Sequence, residues 1–189
     1  MGAKGWKVVV ISFSENISSS ELPPGIPRVV IKETDDSYIK AQLEDITNKY
    51  GSIAAFIHLH PSFTFGDKIS YPEADKAIVK QVFLTAKHLK KSLMETAIAN
   101  FSCFITVTRL DGSFGLGQNS NYSPIAGGLS GLTKSLNQEW QPVYCRAIDL
   151  SQDLESETAT NSILAEIHDP NRYITEVGYT HDLRSTLTI

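Results

Sequence analysis

FSCFITVTRLDGSFGLG, residues 101–117, opens the part of this chain that decides its fold. Phe101 to Val107 is a continuous apolar, β-branched run, the form of a strand buried on both faces of a parallel sheet. Asp111-Gly112 then signals a turn, and Gly115-Leu116-Gly117 extends it. Beyond Tyr122, the residues Ile125, Leu129, Leu132 and Leu136 recur at helical spacing. Val143 to Leu150 closes the unit as a second buried-type strand, ending Cys145-Arg146-Ala147-Ile148-Asp149-Leu150.

The same alternation extends in both directions. Upstream, strands are expected at Lys7 to Phe13, Arg28 to Lys32 and Ser52 to His60. Helices are expected around Ile39, Leu43, Ile46 and Tyr50, after the capping cluster Thr34-Asp35-Asp36-Ser37, and along Ile78, Val82, Leu89 and Leu93. Ser14 to Pro27 and Ser62 to Tyr71 read as loops. Downstream, Leu154 to His168 reads as a helix, Asp169-Pro170-Asn171 as a turn, and Ile174 to Tyr179 with Arg184 to Ile189 as a final extended pair. Strands alternating with helices of this length imply a doubly wound α/β sheet.

Composition narrows the function classes. A chain of 189 residues with 41% hydrophobic content fits one domain with one sizeable core. Lys and Arg number 17 against 21 Asp and Glu, and a net charge of -4 gives no footprint for nucleic acid or an anionic membrane. No apolar run reaches the roughly 18 residues that span a bilayer. Met1-Gly2-Ala3-Lys4-Gly5-Trp6 lacks signal-peptide form, so a cytoplasmic location is expected. Cys103 and Cys145 lie in apolar runs and read as inert buried thiols.

A dinucleotide-binding sheet begins strand, glycine-rich turn, helix, because the glycines let backbone N–H groups approach the pyrophosphate at the helix N-terminus. Here 14 residues, Ser14 to Pro27, separate the first two strands, and Pro23-Pro24-Gly25 within them argues against a helix. One strand-helix unit is therefore expected to be absent, either because the fold is truncated or because the polypeptide is cut from a longer one.

A family resemblance follows from an ordered set of motifs. Ile53 to His60 with Pro61 resembles the strand leading into the "HLAG" or "NNAG" turn of short-chain dehydrogenases. TRLDG at 108–112, FGLG at 114–117, Tyr122, GGLSGLTKSL at 127–136, Glu139-Trp140, CRAIDL at 145–150 and EVGY at 176–179 resemble the ketoreductase region of polyketide synthases and polyunsaturated fatty acid synthases. The likeness runs from Trp6 to Leu187 and is greatest to the structural, non-catalytic half of that region. It implies a truncated Rossmann-like, doubly wound, mainly parallel sheet with helices on both faces, forming a single structural subdomain over residues 1–189 of a larger multienzyme. It further implies that this segment binds no cofactor, that NADPH sits in an adjacent catalytic half, and that this half and an acyl carrier protein are its partners. The edge left by the missing strand is expected to pair with a neighbouring segment or a second copy.

Carried across by position, the chemistry thins. In an active reductase of this kind a tyrosine protonates the carbonyl oxygen, a serine polarises it and a lysine lowers the tyrosine pKa. Tyr122 stands at the tyrosine position, but Arg109 stands thirteen residues earlier where the serine belongs, and a guanidinium does not exchange a proton. Ala126 occupies the lysine or asparagine position, while Lys134, Lys76 and Lys80 lie nearby without aligning. Tyr122 and Arg109 are thus the catalytic candidates, both read as vestigial, with the alternative that Tyr122 still serves an active NADPH-dependent β-ketoacyl reductase. In their plainer reading Tyr122 packs at a helix start and Arg109 pairs with Asp111 or with a carbonyl at the strand end. His58 and His60 are read as structural, on opposite faces of their strand and unable to share a metal ion, so no metal site is expected. Gly127, Gly128 and Gly131 are read as allowing close helix-to-strand packing.

Overall fold

The computed structural model describes residues 5–13, 22–61, 73–117 and 122–187. The loop expected at Ser62 to Tyr71, and the first part of that expected at Ser14 to Pro27, lie outside the described residues. Two short strands, β1 (Val10–Ser12) and β2 (Arg28–Val30), form a parallel pair with Val10 opposite Arg28. Helix α1 (Asp36–Tyr50) follows, its first turn capped by the Asp35 carboxylate, which accepts from the N–H of Ser37 at 2.9 Å and of Tyr38 at 3.0 Å. Strand β3 (Ala55–Leu59), the long helix α2 (Glu73–Ala99) and strand β4 (Cys103–Thr108) come next. A single 3₁₀ turn at Pro124–Ala126 leads into α3 (Gly127–Glu139), then β5 (Tyr144–Leu150), α4 (Ser156–Ile167), β6 (Glu176–Tyr179) and β7 (Arg184–Thr186).

The main sheet has the order β3-β4-β5-β6-β7, parallel except for β7, which turns back on β6. The expected final extended pair is this antiparallel β6–β7 ribbon. Every residue of β4 and β5 is buried, which explains why both read as unbroken apolar runs. Side-chain alternation sends Phe104 and Cys145 to one face, where they meet Leu89 and Leu93 of α2 and Leu129 and Leu136 of α3. Cys103, Ile105, Val107 and Ile148 point to the other face and pack with Ala159 and Ile167 of α4. Both cysteines are free, and burial pushes both thiols up to about 12, so they are protonated fillers of the core.

The glycines of α3 do not serve the packing expected of them. Gly127, Gly128 and Gly131 are exposed, and a Cβ added at 127 or 131 would meet nothing within 4 Å, so none of the three is pressed against a strand. The close backbone approach occurs elsewhere. A Cβ on Gly178 of β6 would stand 2.0 Å from the Gly112 carbonyl oxygen, and one on Gly112 would stand 2.3 Å from that of Tyr179. Gly112 also holds φ +73°, a conformation that glycine adopts without steric cost. The TRLDG and EVGY motifs therefore meet as backbone on backbone.

These two kinds of glycine give opposite expectations. Gly178→Ala should cost about 3 kcal/mol or more, because the Gly112 carbonyl cannot move without unseating its turn. Gly131→Ala should raise stability by about 0.5–1 kcal/mol through helix propensity alone. Urea denaturation of both variants checks the pair, and equal effects would contradict this packing.

Candidate functional site

In open α/β sheets, chemistry is placed beyond the carboxyl ends of the strands. At that end of β4 and β5, Thr108 and Asp149 are register partners, and Asp149 is fully buried. Its Oδ1 accepts from the Thr108 hydroxyl at 2.8 Å and the Leu110 N–H at 2.9 Å, and its Oδ2 from the Phe114 N–H at 2.8 Å. That last bond helps hold Phe114 at φ 59°, an unusual conformation for a residue with a bulky side chain. Two residues before the bend, Asp111 accepts the N–H groups of Ser113, Gly115 and Gly117, each at 2.8 Å. A β-bridge from Asp111 to Ser151 then lays the turn across the strand ends. Two carboxylates thus bind the protein's own backbone where a reductase would bind substrate.

Their electrostatics differ. Burial raises the Asp149 carboxyl above its usual range, against the opposing donors Leu110, Thr108 and Phe114. Burial also pushes Asp111 upward, but its backbone donors Gly115, Gly117 and Ser113, together with Asp149, outweigh it and hold that carboxyl below the usual range. Tyr122 is half-buried beside this pair, and burial followed by the charges of Asp111, Asp149 and Asp153 raises its hydroxyl above the ordinary tyrosine value. A proton-donating tyrosine in a reductase needs the opposite field.

The remaining candidates are engaged elsewhere. The Arg109 guanidinium donates to the Leu154 carbonyl at 2.5 Å, beyond the end of β5 rather than to Asp111 or a strand-end carbonyl. The Thr108 hydroxyl, at the end of β4, is tied to Asp149. Ala126 is buried in the 3₁₀ turn before α3. Lys134 lies 3.3 Å from Glu176, and Lys76 pairs with Glu73 at 2.6 Å. Thr108, Lys134 and Lys76 are thus each engaged with an acidic side chain.

A second polar cluster corrects the reading of the histidines. Residues two apart on a strand share a face, and His58 Nε2 stands 3.2 Å from His60 Nδ1. His60 Nε2 is 2.9 Å from Asp75 Oδ1, a contact off the hydrogen-bond direction, and Ser123 donates to Asp75 Oδ2. All four residues are buried, and the carboxylate stands between serine and imidazole, so this is not a nucleophile–base–acid relay. Burial, reinforced by His60, pushes His58 down to about 3; burial also lowers His60, against the pull of Asp75. Among the described residues no group of His, Cys, Asp and Glu could hold a metal ion.

Arg146 was missed in sequence because it sits inside the apolar run CRAIDL. It is fully buried, donates to the carbonyls of Ile174 and Asn171, and pairs with Glu166 and with Asp169 at 2.7 Å. Arg184 and the Tyr179 hydroxyl complete the shell around Glu166. The only signal available was a charge in a buried strand followed by acids at 166 and 169. This network anchors β5 to the turn after α4 and to β7.

In a dinucleotide-binding sheet the pyrophosphate sits at the turn after the first strand, here the end of β1. There the ring of Phe13 leans on the ring of His58, with centroids 6.0 Å apart. No glycine occurs between Ser12 and Gly25, and Glu15 follows the strand closely. The sequence there lacks the glycines by which a pyrophosphate cradle brings backbone close to the phosphates. Among the described residues no helix is long and apolar enough to cross a membrane.

Comparison with known proteins places the architecture. No family model matches the chain. An apo SCOR enzyme from Clostridium thermocellum superposes with a TM-score of 0.63 at 14% identity, covering 92% of this chain and 80% of that one. The ligand-free aldohexose dehydrogenase of Thermoplasma acidophilum gives 0.60 at 16% identity, covering 90% and 66%. The fold is that of the short-chain oxidoreductases. In sequence, the chain is 29% identical over 108 residues, 54% of its length, to a polyunsaturated fatty acid synthase polypeptide of Thraustochytrium sp.. It spans 4% of that relative. The solved structures show the fold, and the sequence likeness reaches about half of this chain.

The buried histidines set a pH dependence whose sign follows from linkage. An unfolded His58 binds a proton near its ordinary 6.5, while the folded ring resists it down to about 3. Over that window the unfolded state binds more protons, so stability falls on acidification by up to about 1.4 kcal/mol per pH unit for each such ring. Denaturation at pH 7 and pH 5 should show a loss of about 2 kcal/mol that shrinks in His58→Phe. An undiminished loss in that variant would show that His58 is not its source.

Proposed function

We infer that this chain is a structural module of a β-ketoacyl reductase region in a polyketide or polyunsaturated fatty acid synthase, and that it performs no reduction itself. The observation that carries this is that Asp111 and Asp149 spend their oxygens on the backbone of the turn at the strand ends, while burial, followed by the charges of Asp111, Asp149 and Asp153, raises the Tyr122 hydroxyl. The binding of Thr108 to Asp149 and of Lys134 to Glu176 supports the same reading, since each occupies a group that the reaction would require. In this proposal NADPH is held by an adjacent catalytic half, and the acyl chain arrives on an acyl carrier protein.

An incompletely covered sheet face supports a neighbouring half. Buried parallel strands normally have both faces covered, yet Ala55 and Ile57 of β3 are only partly buried and Leu59 is 64% exposed. The catalytic half would bury this row, as the absent strand-helix unit does in a complete sheet. Pairing of the open sheet edge with a second copy is the competing arrangement.

Titration of NADPH into the purified chain, followed by cofactor fluorescence, should show no saturable binding at micromolar concentration. In the intact multienzyme, Tyr122→Phe should leave the ketoreduction rate nearly unchanged. A loss of about a hundredfold or more would assign Tyr122 the proton transfer and overturn the proposal.

A further inference from the structure

We propose that His58, His60, Asp75 and Ser123 form an acid-operated latch, which holds the start of α2 and the turn before α3 against the end of β3 and releases them when the imidazole pair takes up protons. The four residues come from three parts of the chain, and all are buried. His58 lies in β3, and His60 follows it, with its N–H donating to the Val107 carbonyl at 2.8 Å. Asp75 is in the first turn of α2, and Ser123 precedes the 3₁₀ turn. His60 faces one oxygen of Asp75 and Ser123 donates to the other, so this carboxylate joins strand, helix and turn.

The number of protons decides whether the cluster can stay closed. His58 Nε2 and His60 Nδ1 stand 3.2 Å apart, a contact in which one nitrogen donates and the other accepts. Once both rings are charged every ring nitrogen carries a hydrogen, and two donors face each other across that gap. Asp75, 2.9 Å from His60 Nε2, balances one of the two charges. Around the rings β1 presents Phe13, β4 presents Thr106, α2 presents Asp75 and the turn presents Ser123. Among the described residues the titratable groups facing His58 are therefore His60 and, beyond it, Asp75. In the closed cluster burial, followed by the neighbouring His60, keeps His58 neutral down to about 3, so its protonation near the ordinary 6.5 requires opening.

Both held segments have a place to bend. Beyond Asp75, α2 buries Ile78, Val82, Leu89 and Leu93 in the main core, so its later turns stay seated when the first is released. After Ser123 the chain runs through Ala126 into Gly127 and Gly128, where an added Cβ would meet nothing within 4 Å at 127 and only Val79, at 3.9 Å, at 128. Tyr122 adjoins Ser123, so opening moves its ring relative to Asp111 and Asp149. The latch makes the response to acid local, and it is independent of the reductase reading.

Amide hydrogen exchange of the full chain, followed by NMR and corrected for the intrinsic pH dependence of exchange, reads the latch directly. At pH 7 the amides of residues 77–80, Ala126 and Gly127 should be less protected than those of β5. At pH 5 their protection should fall about 25-fold, the gain in proton binding of one ring that regains its ordinary 6.5 on opening. His58→Phe should remove most of that fall, and Asp75→Asn should deepen it, because the charge that balances one ring is gone. His181→Asn, at an exposed site, should leave it unchanged, and thermal melts at pH 7 confirm that the variants fold. Equal protection of these segments and β5 at both pH values would mean that opening occurs only by global unfolding, and would overturn the proposal. So would an undiminished fall in His58→Phe, or a His58 ring that titrates near 6.5 while these amides stay protected, since the pair would then charge in place.

Discussion

A buried carboxylate in the middle of the sheet constrains the rest of this molecule. Asp149 is at the end of β5 with no exposure to water, so both its oxygens must find donors inside the protein. They find them in Thr108 of the neighbouring strand and in the N–H groups of Leu110 and Phe114. Those bonds bend the chain leaving β4 back over the sheet. Once it is bent, Gly112 must lie against Gly178 with no side chain between them, and Asp111 must fasten the rest of the loop through three of its N–H groups. A single desolvated charge thus fixes a turn, a contact between distant motifs and the roof over the strand ends.

That roof also determines the chemistry. Carboxylates that bind backbone cannot also serve a substrate, and their negative field falls on Tyr122. The site of a short-chain reductase needs a positive field at the tyrosine and an unengaged hydroxyl beside it. Here the field is reversed and the hydroxyl of Thr108 is in use.

The α/β alternation was legible because β4 and β5 are buried on both faces and so read as unbroken apolar runs, and because α1 announces itself with Asp35 ahead of its periodic residues. The position of Tyr122 was legible from its spacing, but its surroundings were not, since Asp111, Asp149 and Asp153 come together only when the loop folds over the sheet. Arg146 was hidden for the converse reason: its partners Glu166 and Asp169 lie a helix away, and in sequence it merely interrupts a strand. The histidines were misread through the strand period, which puts residues two apart on the same side. The glycines of α3 were misread because periodicity locates a helix face but does not say whether anything in the same chain covers it.

The two uncovered surfaces lie on opposite sides of the sheet. Ala55 and Ile57 belong to the face packed by α4, whereas the α2–α3 groove tops the layer that covers the other face. The buried polar network of His58, His60, Asp75 and Ser123 lies on the groove side without touching the open row of β3. They also differ in kind. The row of β3 is aliphatic, whereas Lys76 and Lys80 join Val79, Phe83, Ile125 and Leu132 in lining the groove. The sheet stands between these two surfaces, and the bonds that Asp149 makes at the strand ends tie β4, β5 and the turn over them into one unit.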